Sequence, residues 1–177
     1  MQTPRSSMPY LPNEIWLDII AYCDPRGLWL SVRKSNHQLS VCVEQSFKDE
    51  LLPQTITSLP IALPSYDVRN PMRGKAVHRY MGLVQSNEQA TSQVRVTYGL
   101  SGTEPEHYHS QFLDRWEGMR EKSNGKLGDH LRWGMQLNDK VATMGLKEAR
   151  IEAPQTEAAG PAELSFDWKP TMSGFFQ

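Results

Sequence analysis

The sequence predicts an α+β protein, with an N-terminal bundle of three short helices followed by a mixed unit of strands and helices. Three observations predict it. Up to Phe47, apolar residues recur at helical spacing, in runs bounded by prolines and capping side chains. The next stretch carries prolines at 53, 60, 64 and 71, which suits an extended connection. Beyond it, three alternating apolar runs flank one strongly amphipathic helical pattern, the signature of half-buried strands beside a helix. The expected layout is a flexible N-terminus at 1–8, the bundle at 9–52, the Pro-rich connection at 53–73, and a C-terminal α+β domain at 74–177.

In the first helix, Ile15, Trp16, Ile19, Ile20 and Cys23 fall at i, i+1, i+4, i+5 and i+8, giving one broad apolar face. Pro12 suits the first turn, where its missing N–H costs nothing, and Glu14 sits well near the positive end of the helix dipole. Asp24-Pro25 then supplies an N-cap oxygen and a fixed φ, so the spacing predicts a break and a second helix lined by Leu28, Trp29 and Val32. A third pattern starts near Asn36, with Leu39, Cys42, Val43 and Phe47, and Pro53 closes it. A bundle this small buries little surface, because below about 70–80 residues a core rarely outweighs chain entropy by much. Such a unit gains by leaning on something else.

Beyond Pro53 a short edge strand is expected at Ile56 to Leu63. Val77, Tyr80, Met81 and Val84 have helical spacing, weakened by Gly82. Strands are expected at Val94–Tyr98, Leu131–Leu137, Ala149–Ala153 and Leu164–Trp168. Between the first two, Thr103 and Glu106 suggest a capping box for a helix striped by Tyr108, Phe112, Trp116 and Met119 and ending near Asn124-Gly125. A loop fits "PQTEAAGPA" from Pro154. The alternative for this region is a degenerate leucine-rich-repeat-like α/β array, although strand spacings of roughly 30–40 residues exceed the 20–29 of that repeat.

The N-terminal stretch "LPNEIWLDIIAYCDPRGLWLSVR" resembles the F-box family. Leu11, Pro12, Glu14 and Ile15 match its Leu-Pro-x-Glu-Ile opening, and Ile19 and Ile20 match the aliphatic pair. Asp24, Pro25 and Leu28 follow the pattern, with Cys23 in place of a leucine. Val32, Arg33, Asn36, Gln38 and Leu39 are similar to the run common in fungal members, while Lys34 and Ser35 depart from it. The resemblance covers residues 9 to 50.

It implies a non-catalytic substrate-receptor subunit of a Skp-cullin-F-box ubiquitin ligase. The N-terminal helices would dock on a Skp-type adaptor and, through it, a cullin, while the C-terminal region recruits an unknown protein target. The implied adaptor-binding residues are Leu11, Pro12, Glu14, Ile15, Ile19, Pro25, Leu28 and Val32. For each apolar member, burial inside the bundle is the competing reading. The competing function is a binding or scaffold protein with an F-box-like bundle acting outside ubiquitin transfer.

Composition narrows the classes further. The chain has 19 Lys and Arg against 20 Asp and Glu, a formal net charge of -1, so no global basic field draws it to nucleic acid or an anionic membrane. Its two cysteines, Cys23 and Cys42, form no disulfide framework and read as buried free thiols. With no apolar leader in "MQTPRSSMPY" and no long apolar run, an intracellular location, cytoplasmic or nuclear, is expected.

No enzyme chemistry is expected. His107 and His109, even with Asp129 or His130, do not make a metal site, because residues two apart on a helix point about 200° away from each other. Asp114, Glu117 and Glu121 among Arg115, Arg120 and Lys122 read as surface ion pairs. "GLSGTEPE" lacks a phosphate-loop lysine, and neither cysteine lies beside a histidine in a nucleophile motif. The expectation is no catalytic residue, no metal ligand and no cofactor. Of the five tryptophans, a residue type enriched at binding hot spots, four sit on or beside the expected apolar faces and read as core by default.

Overall fold

A computed structural model of the chain describes residues 11–62, 73–85, 94–128, 130–153 and 162–177. The N-terminus at 1–8, residues 63–72 of the Pro-rich connection, Asp129 and nearly all of the loop from Pro154 lie outside them. The chain divides into two compact units, Met1–Asp49 and Glu50–Gln177.

The first unit is helical. Helix α1 spans Asn13–Ile20 and α2 spans Pro25–Leu30; a 3₁₀ turn follows at Val32–Lys34, and α3 spans His37–Ser46. The cap expected at Asp24 forms, Asn36 caps the third helix near its expected start, and Pro12 stands at the cap position just ahead of α1 and not in its first turn. The Asp24 carboxylate accepts from the Gly27 N–H and the Asn36 side chain accepts from the Leu39 N–H, each satisfying an amide that lacks a partner within its helix. Ile20, Leu28, Trp29, Cys42, Val43 and Phe47 are buried, with the Trp29 and Phe47 rings 4.6 Å apart. Cys23, expected to be buried, is exposed. It follows the last turn of α1, where the chain has already left the helix.

From Phe47 the helical path widens into a π turn through Leu51 and runs on into a short turn, α4, at Leu52–Gln54. Pro53 therefore sits inside the start of α4 instead of ending the helical segment, because the first turn has no use for its missing N–H.

Among the described residues the second unit is a seven-stranded, wholly antiparallel sheet with helices. Its strands are β1 (Ile56–Ala62), β2 (Arg73–Gln85), β3 (Val94–Glu104), β4 (Trp133–Leu137), β5 (Lys140–Met144), β6 (Lys147–Glu152) and β7 (Glu163–Asp167), in the spatial order β5-β4-β1-β2-β3-β7-β6. Helix α5 (His109–Ser123) lies between β3 and β4 in the chain, and α6 (Trp168–Phe176) follows β7. The two outermost strands, β5 and β6, are joined by Gly145 and Leu146 alone. Three Cα steps reach at most about 11 Å, so the sheet must curl until its edges approach. α6 packs against both edges: Lys140 of β5 donates to the Phe175 carbonyl at 2.7 Å, and the Lys147 N–H of β6 donates to Thr171 Oγ1 at 3.1 Å.

Several expectations change here. The helix expected at Val77–Val84 is strand β2, paired along its length with β3 through bulges at Val77/His78 and Tyr80/Gly82. Helical spacing of four apolar residues cannot outweigh ladder pairing on both sides. β1 is an interior strand between β2 and β4, not an edge, and it tolerates Pro60 because β4 pairs only with Ile56–Ser58. The capping box does not form: Thr103 belongs to β3, and a 3₁₀ turn at Glu106–Tyr108 leads into α5, which has no side-chain cap. Leu131 precedes β4, and Trp168 opens a helix in place of ending a strand. The repeat-array alternative is overturned, since a leucine-rich array needs parallel strands and every pair here is antiparallel.

The interior of the curl is aromatic. His78 of β2 meets Phe112 and Trp116 of α5 and Trp133 of β4, with ring centroids 5.3 to 6.3 Å from its own. Tyr98 stacks on Phe166 at 5.4 Å, its hydroxyl donating to the Leu52 carbonyl, and Trp116 Nε1 donates to the Ala162 carbonyl at 2.9 Å. α5 ends where the sequence places its stop. Asn124 takes the left-handed conformation, and at Gly125 (φ +76°) a Cβ would lie 2.7 Å from the Ile151 carbonyl oxygen, so only glycine fits.

Candidate functional site

The candidate site is the outer face of the first two helices. α1 is only eight residues long, so its side chains divide cleanly. Ile20 is buried and Trp16 and Leu17 are half-buried, while Ile15 and Ile19, one turn apart, are 45% and 43% exposed. Tyr22, in the turn that follows α1, is 93% exposed. The broad apolar face read from sequence is therefore two faces, one turned inward and one presented to solvent.

The entry to α1 is fixed by α3. Gln38 Nε2 donates to the Leu11 carbonyl at 2.7 Å and to Asn13 Oδ1 at 2.9 Å, holding the Leu-Pro turn against the third helix. Leu11 is half-buried, and Pro12 and Glu14 are exposed. Pro25 and Val32 are half-buried. Leu28 is buried, so its side chain supports the face from within and does not line it. The turn after α2 is tied down by Arg33, which pairs with Glu44 at 3.3 Å and lies 4.0 Å over the Trp29 ring. This is a preorganised surface, with backbone and buried side chains locked around a short exposed aliphatic row.

Of the residues expected to meet a partner, Ile15, Ile19, Pro12 and Glu14 share exposure on the first helix and its entry. Tyr22 was not singled out from sequence, although its i+7 relation to Ile15 was the available signal. Val41 of α3, 43% exposed, was missed as well.

The face carries little chemistry beyond contact. Burial, and secondarily the charge of Glu14, push the Cys42 thiol up, away from the thiolate that nucleophilic or metal-binding cysteines use. The exposed Cys23 donates its S–H to the Ile19 carbonyl at 3.3 Å. His107 lies in the 3₁₀ turn and His109 opens α5; among the described residues no group of three or more His, Cys, Asp or Glu is placed to hold a metal ion. On α5, Glu117 pairs with Arg120 at 2.8 Å, whereas Arg115 turns away from the helix's carboxylates to the Ala62 carbonyl. No helix among the described residues is long and apolar enough to cross a membrane. Comparison with family models, curated proteins and solved structures finds no match to this chain.

Proposed function

We propose that the chain is a substrate-receptor subunit of a Skp-cullin-F-box ubiquitin ligase, docking on a Skp-type adaptor through α1, α2 and the turns around them. The observation that carries this reading is the exposed pair Ile15 and Ile19 on a helix opened by Leu11-Pro12-x-Glu14-Ile15, with the exposed Tyr22 in the turn that follows it. An aliphatic row on a rigid short helix, flanked by a carboxylate, suits recognition in which apolar anchors enter a partner's groove and polar groups line the rim. In this reading the second unit presents the target, and catalysis is positional: holding a target lysine near a charged ubiquitin carrier raises its effective concentration without a reactive group from this chain.

The test is a pull-down of the intact protein with a Skp-type adaptor. Replacing Leu11, Pro12 and Ile15 together with alanine should weaken capture by at least about tenfold, as expected when anchors of an interface are removed. Failure of the folded wild-type chain to bind, or binding unchanged in the triple variant, would overturn the reading. Adding the cullin and ubiquitin machinery and finding adaptor binding with no ubiquitin on any captured protein would move the function to a scaffold.

A further inference from the structure

We propose that the sheet unit binds a small amphipathic anion, an apolar chain or ring bearing one carboxylate, in the groove between β1 and α5. The groove has a volume of about 610 Å³, inside the range of roughly 300–1,000 Å³ typical of ligand pockets. Its apolar walls are Leu59 of β1, Phe112 and Met119 of α5, and Leu131 ahead of β4. It exists because β4 pairs with β1 only over Ile56–Ser58, which leaves Leu59–Ala62 without a strand on that side among the described residues.

An unpaired strand edge would ordinarily suit an added peptide strand. This edge is blunted. The Ala62 carbonyl, which points toward α5, already accepts from Arg115 Nη1 at 3.1 Å. Pro60, two residues back and so facing the same way, has no N–H to offer. The occupant must therefore be held by apolar contact and charge, and not by a backbone ladder.

The charge at the rim is positive by one. Arg115 and Lys122 line the groove two helical turns apart, against the single carboxylate of Asp114. Lys122 has no ion pair among the described residues, and Arg115 spends one of its donors on Ala62, leaving the rest of its fork for a carboxylate. Gly118 adds the space: a Cβ built there meets nothing within 4 Å. This site is independent of adaptor docking, which belongs to the other unit.

The experiment is an NMR titration of the full chain with octanoate, with octanol as the uncharged control. Saturable shifts at the Ala62 and Gly118 amides are expected, with a Kd of roughly 1 mM or tighter for a ligand of this size. Octanol and the Lys122→Glu variant should each bind at least about tenfold more weakly. Gly118→Leu, which fills the groove while favouring the helix, should abolish binding. No saturable binding of octanoate, equal binding of octanol, or octanoate binding unchanged in both variants would overturn the proposal. Because Lys122 is exposed, its variant reports on binding even if Gly118→Leu does not fold.

Discussion

Among the described residues, the large apolar side chains left most exposed are Ile15, Ile19, Tyr22 and Val41 in the helical unit, against only Met81 and Val141 in the much longer sheet unit. The sheet unit instead draws polar groups inward. His78 and Thr57, directly opposite on β2 and β1, are fully buried, and neither the His78 ring nitrogens nor the Thr57 hydroxyl makes a hydrogen bond of ordinary geometry. Arg95 of β3 is buried too, but well satisfied. It donates to the Glu148 carbonyl at 2.6 Å and to Ser165 Oγ, which also meets the Glu152 carboxylate. A sheet curled almost onto itself has interior to spare and can enclose polar side chains. Three short helices have too little interior to hide even their own aliphatic residues.

The contrast breaks most visibly if the aromatic interior of the sheet is emptied. Trp133→Ala removes the ring that meets both His78 and Trp116 and should cost about 3–5 kcal/mol in urea unfolding monitored by circular dichroism. A cost below about 1 kcal/mol would mean that the curl is not held by this cluster.

The buried imidazole sharpens the comparison through pH. Burial pushes the His78 pKa down to about 4, against a smaller upward pull from the Ala76 backbone. The unfolded chain titrates this histidine near 6.5, so between those values it binds more protons than the fold does. His78 therefore leaves stability undiminished above about pH 6.5 and lowers it as pH falls toward 4, by about 3 kcal/mol across the window. In His78→Phe this part of the pH slope should vanish, measured as the difference between the two proteins' unfolding curves. Identical slopes would show that His78 does not titrate differently in the fold.

The smallest effect on stability is expected on the helical unit's outer face. Ile15→Ser with Ile19→Ser should change the unfolding free energy by only about 1 kcal/mol, because each side chain is nearly half exposed. A loss above about 2 kcal/mol would place both residues in the fold's own core and remove them from any docking face.

The helical unit was largely legible because its signals are local. Asp24-Pro25 and Asn36 announce helix starts through bonds that reach only three residues. What could not be read was which half of the α1 stripe faces in, since Ile15 and Ile20 are chemically alike and only the packing of α1 on α3 separates them. The alternating runs at Val94–Tyr98 and Leu164–Phe166 were equally plain. β5, however, offers no clean alternation, with Val141 turned out and followed directly by Ala142, and it is a strand only because it pairs with β4. The β1–α5 groove left no trace in any single segment, because its walls come from residues 59 to 131.

By itself the sequence determined the α+β class, the Asp24 cap and the helix start near Asn36, the two best strands and the stop of α5 at Asn124-Gly125, all set by forces acting within a few residues. Only the tertiary structure decided that Val77–Val84 is a strand, that the sheet's edges come together, that Ile15, Ile19 and Tyr22 face solvent, and that His78 is enclosed. Those outcomes depend on partners distant in sequence, and short-range pattern carries no information about them.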